Sequence, residues 1–274
     1  MSSSIAEDRT EEKRHDKKIH LITYGSNHFS AAKDRVVREA HNFGVFSTVK
    51  GYGFEDLPTN FRKEFSDVLS LPRGGGYWIW KCAIIKERLE KIKDGEFLVY
   101  LDAGCNLNPL GKKRFFEYID LLQNSKYGLL SFQMSGNFGP GSFELEKKWT
   151  TRKIFEHFNL SMESDVAMTG QFAAAVLVIQ KSAHFDKILE EWMKALNSDR
   201  LLFTDYYNRS SPDPHFVDNR HDQSVLSVIR KIHGSVTIDG DETWMQPLGV
   251  GESLKYPFWT MRSREPPSKD KDKY

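Results

Sequence analysis

Cysteine is scarce in this chain of 274 residues: Cys82 and Cys105 are the only two. They are too few for a disulfide framework or a cysteine-based zinc site, and they fit a reducing compartment. Long apolar runs are missing as well. Nothing approaches the roughly 20 apolar residues that span a bilayer, and the amino terminus is polar where a signal peptide needs an apolar stretch. The sequence therefore reads as a soluble protein without a transmembrane segment. Charge of one sign is not in excess, since 39 basic and 38 acidic residues leave a formal net charge of +1. There is no general attraction to nucleic acid or to an anionic membrane, and no basic-aromatic repeat, so no nucleic-acid partner is expected. The dinucleotide fingerprint Gly-x-Gly-x-x-Gly is absent after the first strand, which counts against NAD or FAD.

With 39% hydrophobic and 13% aromatic residues the chain can bury a substantial core. Residues 1–18 are Ser-rich and then densely charged, and 265–274 are rich in Pro, Lys and Asp. Neither can offset its ordering entropy by burial, so both are expected to be disordered tails around one domain over 19–264. Inside that domain, apolar strands and amphipathic helices alternate. A strand over Ile19–Gly25 leads through Gly25-Ser26-Asn27 to a helix over Ser30–Phe43 and a second strand over Phe46–Lys50. Helices are expected over Tyr77–Lys93, Lys112–Asn124, Glu146–Phe158 and Ser182–Leu196. Strands are expected over Tyr127–Gln133 and Val176–Ile179. Ser135–Phe143 reads as a flexible connection. The order predicts an α/β fold with a mostly parallel central sheet flanked by helices, because right-handed crossovers favour parallel pairing.

The central stretch is Phe97-Leu98-Val99-Tyr100-Leu101-Asp102. Five apolar residues in a row indicate a strand buried on both faces, and Asp102 ends it. Ligands of open α/β sheets bind beyond the carboxyl ends of the strands, so Asp102, followed by small Ala103 and Gly104, is placed to reach a metal or a phosphate-bearing ligand. Capping a turn is the competing role. Upstream, Arg73-Gly74-Gly75-Gly76 opens the helix expected from Tyr77, and its amides with Arg73 and Lys81 suit a phosphate. Trp78 and Trp80 read as core. The segment Val166–Ala175 is rich in small residues, which leaves room for a ligand or for a closely packed helix. Asp199–Asn219 is a long polar stretch of the kind that forms binding loops. It leads to Asn219-Arg220-His221-Asp222-Gln223-Ser224, where Asp222 opens a helix. A helix-start carboxylate and a catalytic one are both compatible with that position.

Five segments in order, Arg73–Lys81, Tyr100–Asn108, Glu146–Thr150, Gly170-Gln171 and His221–Ser224, resemble a family of small GT-A-type glycosyltransferases. Similar proteins occur in bacterial surface-polysaccharide clusters and in large DNA viruses of algae, among them a β-xylosyltransferase of capsid N-glycan synthesis. The resemblance implies a GT-A domain, Rossmann-like, transferring a sugar from a UDP-sugar, UDP-xylose first, to a hydroxyl of a glycan acceptor. It also implies inversion and a cytoplasmic setting, that of the host for viral members. A retaining transferase with another UDP-hexose and an inactive carbohydrate-binding protein of the same fold are the alternatives. Family members hold Mn2+ or Mg2+ with Asp-x-Asp; here Asp102 matches the first position and Gly104 replaces the third. The resemblance puts the donor against Thr23, Tyr24, Gly25, Arg35, Arg73, Gly75, Tyr77, Lys81, Asp102, Ala103 and Gly104. Tyr24 stacks on the base or belongs to the core. Asp222 is the expected general base, with Glu146 second and Asp205 and Asp213 behind it. Gly170, Gln171 and His221 face the acceptor, His221 with a further option on phosphate or metal.

Overall fold

A computed structural model describes residues 18–134, 144–210 and 214–263. Apart from Lys18, the two expected tails lie outside these residues, as do the Ser135–Phe143 connection and Asp213.

Six strands form one twisted sheet: β1 (Ile19–Tyr24), β2 (Thr48–Tyr52), β3 (Phe97–Asp102), β5 (Leu129–Phe132), β6 (Val176–Gln180) and β7 (Val236–Ile238). A two-residue strand β4 (Asn106–Leu107) pairs separately with β8 (Phe258–Trp259). The sheet order is β2-β1-β3-β6-β5-β7. All neighbours are parallel except those of β6, which runs against both β3 and β5. Five long helices pack around it: α1 (Ser30–Phe43), α2 (Trp80–Leu89), α3 (Lys112–Gln123), α4 (Ala183–Ser198) and α5 (Asp222–His233). The expected α/β architecture is therefore the observed one.

Strand β3 is buried from Phe97 to Leu101 because each face carries a core of its own. Leu98 and Tyr100 join Trp80, Ile84, Ile85, Trp192 and Val225 on one face. Phe97, Val99 and Leu101 join Val36, Phe43, Phe115, Ile119 and Val178 on the other. Alternation along a strand divides its side chains between two helical layers in this way. At the carboxyl end of β3, Asp102 lies beside Tyr24 of β1, and Leu101 pairs with Val176 at the start of antiparallel β6. The reversal of β6 thus brings the segment entering it to the same edge, where α5 also begins.

Three local expectations are corrected. The second strand is Thr48–Tyr52 instead of Phe46–Lys50, because Phe46 leaves the sheet to pack against Phe43 and Phe115. The expected helix over Glu146–Phe158 is broken into Glu146–Trp149 and Arg152–His157. The Trp149 carbonyl, which would continue the helix, accepts from the Ser224 hydroxyl and the Arg220 amide instead. The helix expected from Tyr77 starts at Trp80, for the reason given below.

No helix among the described residues is long and apolar enough to cross a membrane. Cys82 and Cys105 are free and buried, and burial pushes the Cys82 thiol up to about 12.

Candidate active site

The Asp102 edge is organised by a buried lysine. Lys81, one residue into α2, is almost wholly enclosed, and its ammonium has three oxygen neighbours, two of them hydrogen-bond acceptors. These are Asp222 Oδ2 at 2.5 Å, the Ala174 carbonyl at 3.1 Å and Asp102 Oδ1 at 3.4 Å. The Tyr100 hydroxyl donates to Asp102 Oδ1, and the Tyr100 ring lies 4.9 Å from the ammonium. Burial alone pulls the Lys81 pKa down, but the charges of Asp102 and Asp222 outweigh it and raise the net value. Lys81 therefore stays charged and joins three chain segments distant in sequence. In this structure its ammonium is engaged by protein oxygens.

Asp222 and Asp102 differ in access. The Asp102 side chain is 30% exposed and that of Asp222 is 6% exposed. Burial pushes the Asp222 carboxyl up to about 6, Lys81 opposing and Asp102 adding to the shift. A carboxylate poised there accepts a proton readily near neutral pH. Asp222 opens α5, as expected, after His221 at φ 58°. Next to it, Gln223 Oε1 accepts from the Ala174 amide at 3.1 Å, so both ends of Ala174 are tied to this site.

The glycine-rich segment is not an open phosphate cradle. Gly74, Gly75, Gly76, Tyr77 and Trp78 all have φ between 53° and 96°, a left-handed turn that glycine enters without cost and Tyr77 and Trp78 do not. A Cβ on Gly74 would strike the Trp78 ring at 2.4 Å and one on Gly76 would meet Leu69 Cα at 2.7 Å. The amides of Gly75, Gly76 and Tyr77 donate to Pro72, Leu71 and Arg73 carbonyls, and those of Ile79 and Lys81 to Gly76 and Trp78. They are closed within the turn. Arg73 donates to both oxygens of Asp205, at 2.9 and 2.8 Å, and to Asp218 at 3.1 Å. The Tyr77 hydroxyl and His221 Nε2 reach Asp205 at 2.8 and 3.0 Å. Burial raises the Asp205 pKa, yet the hydrogen bonds from His221 and Tyr77 outweigh it and hold the carboxyl low.

Other expected residues have been committed to structure. Arg35 donates at 2.9 Å to the Ala103 and Cys105 carbonyls, fixing the turn after Asp102. Tyr24 is buried and stacks on Trp80 with centroids 3.7 Å apart, so it belongs to the core. Thr23 is buried, with a hydroxyl that has no hydrogen-bond partner among the described residues. Gly25 is explained by packing, since a Cβ would fall 2.4 Å from the Phe29 carbonyl oxygen. Gly75 sits beside Ser26, which brings the loop after β1 and the left-handed turn together. Glu146 is fully buried. It accepts from Thr150, Gln171, Ser227 and Lys231, so neither oxygen is left for an acceptor hydroxyl. Gln171 is the hub of that network and is fully buried, Gly170 is buried beside it, and His221 lies enclosed against Trp78. All three lie among buried residues, as does Asp222 beside them.

Sequence reasoning missed the carboxyl-terminal strap. After β8 pairs with β4, the chain continues over the Asp102 turn, and the Ser263 amide donates to Gly104 O at 3.0 Å. A Cβ on Gly104 would lie 3.1 Å from Arg262 Cα, so the close passage of the strap favours glycine there. Two short apolar strands separated by some 150 residues carry no local signal of their pairing.

Asp102 Oδ1 is shared by Tyr100 and Lys81, which leaves Oδ2 without a hydrogen-bond partner among the described residues. No group of three His, Cys, Asp or Glu side chains able to hold a metal occurs among those residues. The donor set thus fits a divalent cation only as one carboxylate oxygen completed by ligand oxygens and water. Two surface hollows lie elsewhere. One of about 440 Å³ is lined by Phe54, Thr59, Arg62, Lys63 and Ser66, and one of about 640 Å³ runs between α2 and α4.

No protein-family model and no curated protein sequence matches the chain. Among solved structures it is similar to a glycosyltransferase involved in the glycosylation of the major capsid of PBCV-1, at 13% identity and TM-score 0.48 over 90% of this chain and 94% of that one. It is also similar to mouse xyloside xylosyltransferase 1, at 13% identity and TM-score 0.40, covering 83% and 86%. The glycosyltransferase GlyE of Streptococcus pneumoniae TIGR4 follows at 12% identity and TM-score 0.39. There 82% of this chain spans 46% of that one. At these scores none of them fixes an activity for this chain.

Proposed function

We propose that the chain is a GT-A-type glycosyltransferase that moves a sugar from a UDP-sugar, UDP-xylose first, to a glycan hydroxyl with inversion. The observation that carries this reading is the pair Asp102 and Asp222 held on one buried lysine at the carboxyl edge of β3. One carboxylate is accessible, and the other is tuned to about 6. Unequal carboxylates at one site suit unequal roles.

In this reading Asp222 takes the proton of the incoming hydroxyl, and Lys81 keeps the carboxylate oriented and ionised near neutral pH. The hydroxyl oxygen forms the new bond to the anomeric carbon while the bond to the diphosphate breaks, through an oxocarbenium-like state. Asp102 Oδ2 would hold Mn2+ or Mg2+, which supplies Lewis acidity to the departing diphosphate. Tyr100 and Lys81 fix the Asp102 carboxylate so that Oδ2 faces outward.

Incubation with UDP-xylose, UDP-glucose, UDP-galactose and a GDP-sugar, followed by release of nucleoside diphosphate, tests the reading. Release from a UDP-sugar is expected, fastest with UDP-xylose, and a β-configured product confirms inversion. Absence of both binding and release across the panel would contradict the reading.

A further inference from the structure

The cations expected to meet a donor diphosphate are already committed. Arg35 holds two carbonyls and Glu39, Arg73 holds Asp205 and Asp218, and Lys81 holds Asp222, Asp102 and the Ala174 carbonyl. Two other arginines near the Asp102 edge have no carboxylate within 4 Å among the described residues. Arg220 stands two residues before Asp222. Its guanidinium carbon lies 3.6 Å from the centre of the Trp149 ring, and Nη1 contacts Met134 Sδ at 2.9 Å and Gln171 Oε1 at 3.4 Å. Arg262 is exposed on the strap directly over Gly104, 5.8 Å from the Trp244 ring.

The two charges are close enough to act on one another. Burial lowers the Arg220 pKa to about 10; Glu144, Glu146 and Asp218 oppose the effect and Arg262 adds to it. Like charges that act on one another repel, and an anion bound to both relieves that repulsion. Guanidinium forks resting on aromatic rings are preorganised for oxygen-rich anions. Arg220 is joined through Gln171 and Gln223 to the Ala174 amide, hence to the segment that holds Lys81.

We infer that Arg220 and Arg262 form an anion subsite beside the Asp102 turn that takes the diphosphate of the donor. The inference rests on the proposed nucleotide-sugar reading for the identity of that anion. It assigns the carboxyl-terminal strap a direct part in binding: Arg262 reaches the site only because β8 pairs with β4 and Gly104 lets the strap cross.

Calorimetric titration of the full chain with inorganic pyrophosphate, UDP and uridine, at low and high salt, tests it. The wild type is expected to bind UDP and pyrophosphate, with affinity falling as salt rises. Arg262→Gln and Arg220→Gln should each weaken both anions by about tenfold or more, the scale of a lost charge-assisted hydrogen bond, and leave uridine unaffected. Arg262 is exposed, so its variant reports on binding even if Arg220→Gln disturbs the Trp149 packing; thermal melting separates the two. Unchanged affinity of Arg262→Gln for pyrophosphate and UDP would overturn the subsite while leaving the nucleotide-sugar reading intact. Wild-type binding of pyrophosphate but of no nucleoside diphosphate, lost in the variants, would support the subsite and sink the donor assignment. Binding of neither anion by the wild type would overturn both.

Discussion

Two clusters in this molecule share one plan, a cation between two carboxylates, and differ in where it is carried out. Lys81 between Asp102 and Asp222 is enclosed, its side chain 2% exposed. Arg73 between Asp205 and Asp218 is open, its side chain 46% exposed. In the first, low solvent access makes each charge felt by its neighbours, which is why the Asp222 carboxyl is pushed up to about 6. In the second, water screens the same attraction, and the ion pairs join the left-handed turn to the polar segment before α5.

The largest effect expected of a single change is on Asp222. Asp222→Asn should lower transfer by roughly 10²–10⁴-fold, the range typical of a lost general base, with UDP affinity nearly kept. Steady-state kinetics beside calorimetry separate the two quantities. Lys81→Met should come next. It leaves two neighbouring carboxylates without their counter-ion, and breaking a buried pair from one side costs about 3–5 kcal/mol, readable in denaturant unfolding. The same variant sharpens the comparison through pH. Lys81 holds the Asp222 pKa down, so its removal should move the acid limb of activity, expected near 6 in the wild type, to higher pH. The direction follows from the base being active only when ionised: activity falls as pH drops through the pKa, and a higher pKa moves that fall upward. Arg73→Ala should do least, within about 1 kcal/mol of wild-type stability, and the difference should shrink in high salt. A loss at Arg73 matching that at Lys81 would break the distinction between the clusters.

What could be read from the residues follows the range of the interactions. Helix α1 runs over Ser30–Phe43 as its apolar periodicity indicates, and β3 ends at Asp102 as its unbroken apolar run indicates. Asp222 at the start of α5 was visible because helix starts favour such residues. The functions of the cations were not legible. Arg35, Arg73 and Lys81 have the charge that a phosphate needs, but most of their partners, such as Ala103 for Arg35, Asp205 and Asp218 for Arg73 and Asp222 for Lys81, are distant in sequence, and only the fold shows these contacts. Arg73-Gly74-Gly75-Gly76 resembles an opening helix, whereas the left-handed turn depends on the Trp78 ring closing over Gly74. Glu146 was equally opaque. It stood second as the expected general base, and three of its four partners, Gln171 and then Ser227 and Lys231 of α5, lie far from it in sequence.

The buried pair is tested most directly by single-turnover transfer from UDP-xylose as a function of pH, in the wild type and in Asp222→Asn. A wild-type profile rising with an apparent pKa of about 6, together with a variant that is slow and lacks this limb, is the expected result. A variant that transfers at the wild-type rate with the same limb would show that the proton goes to another group, and that the carboxylate held by Lys81 serves the fold alone.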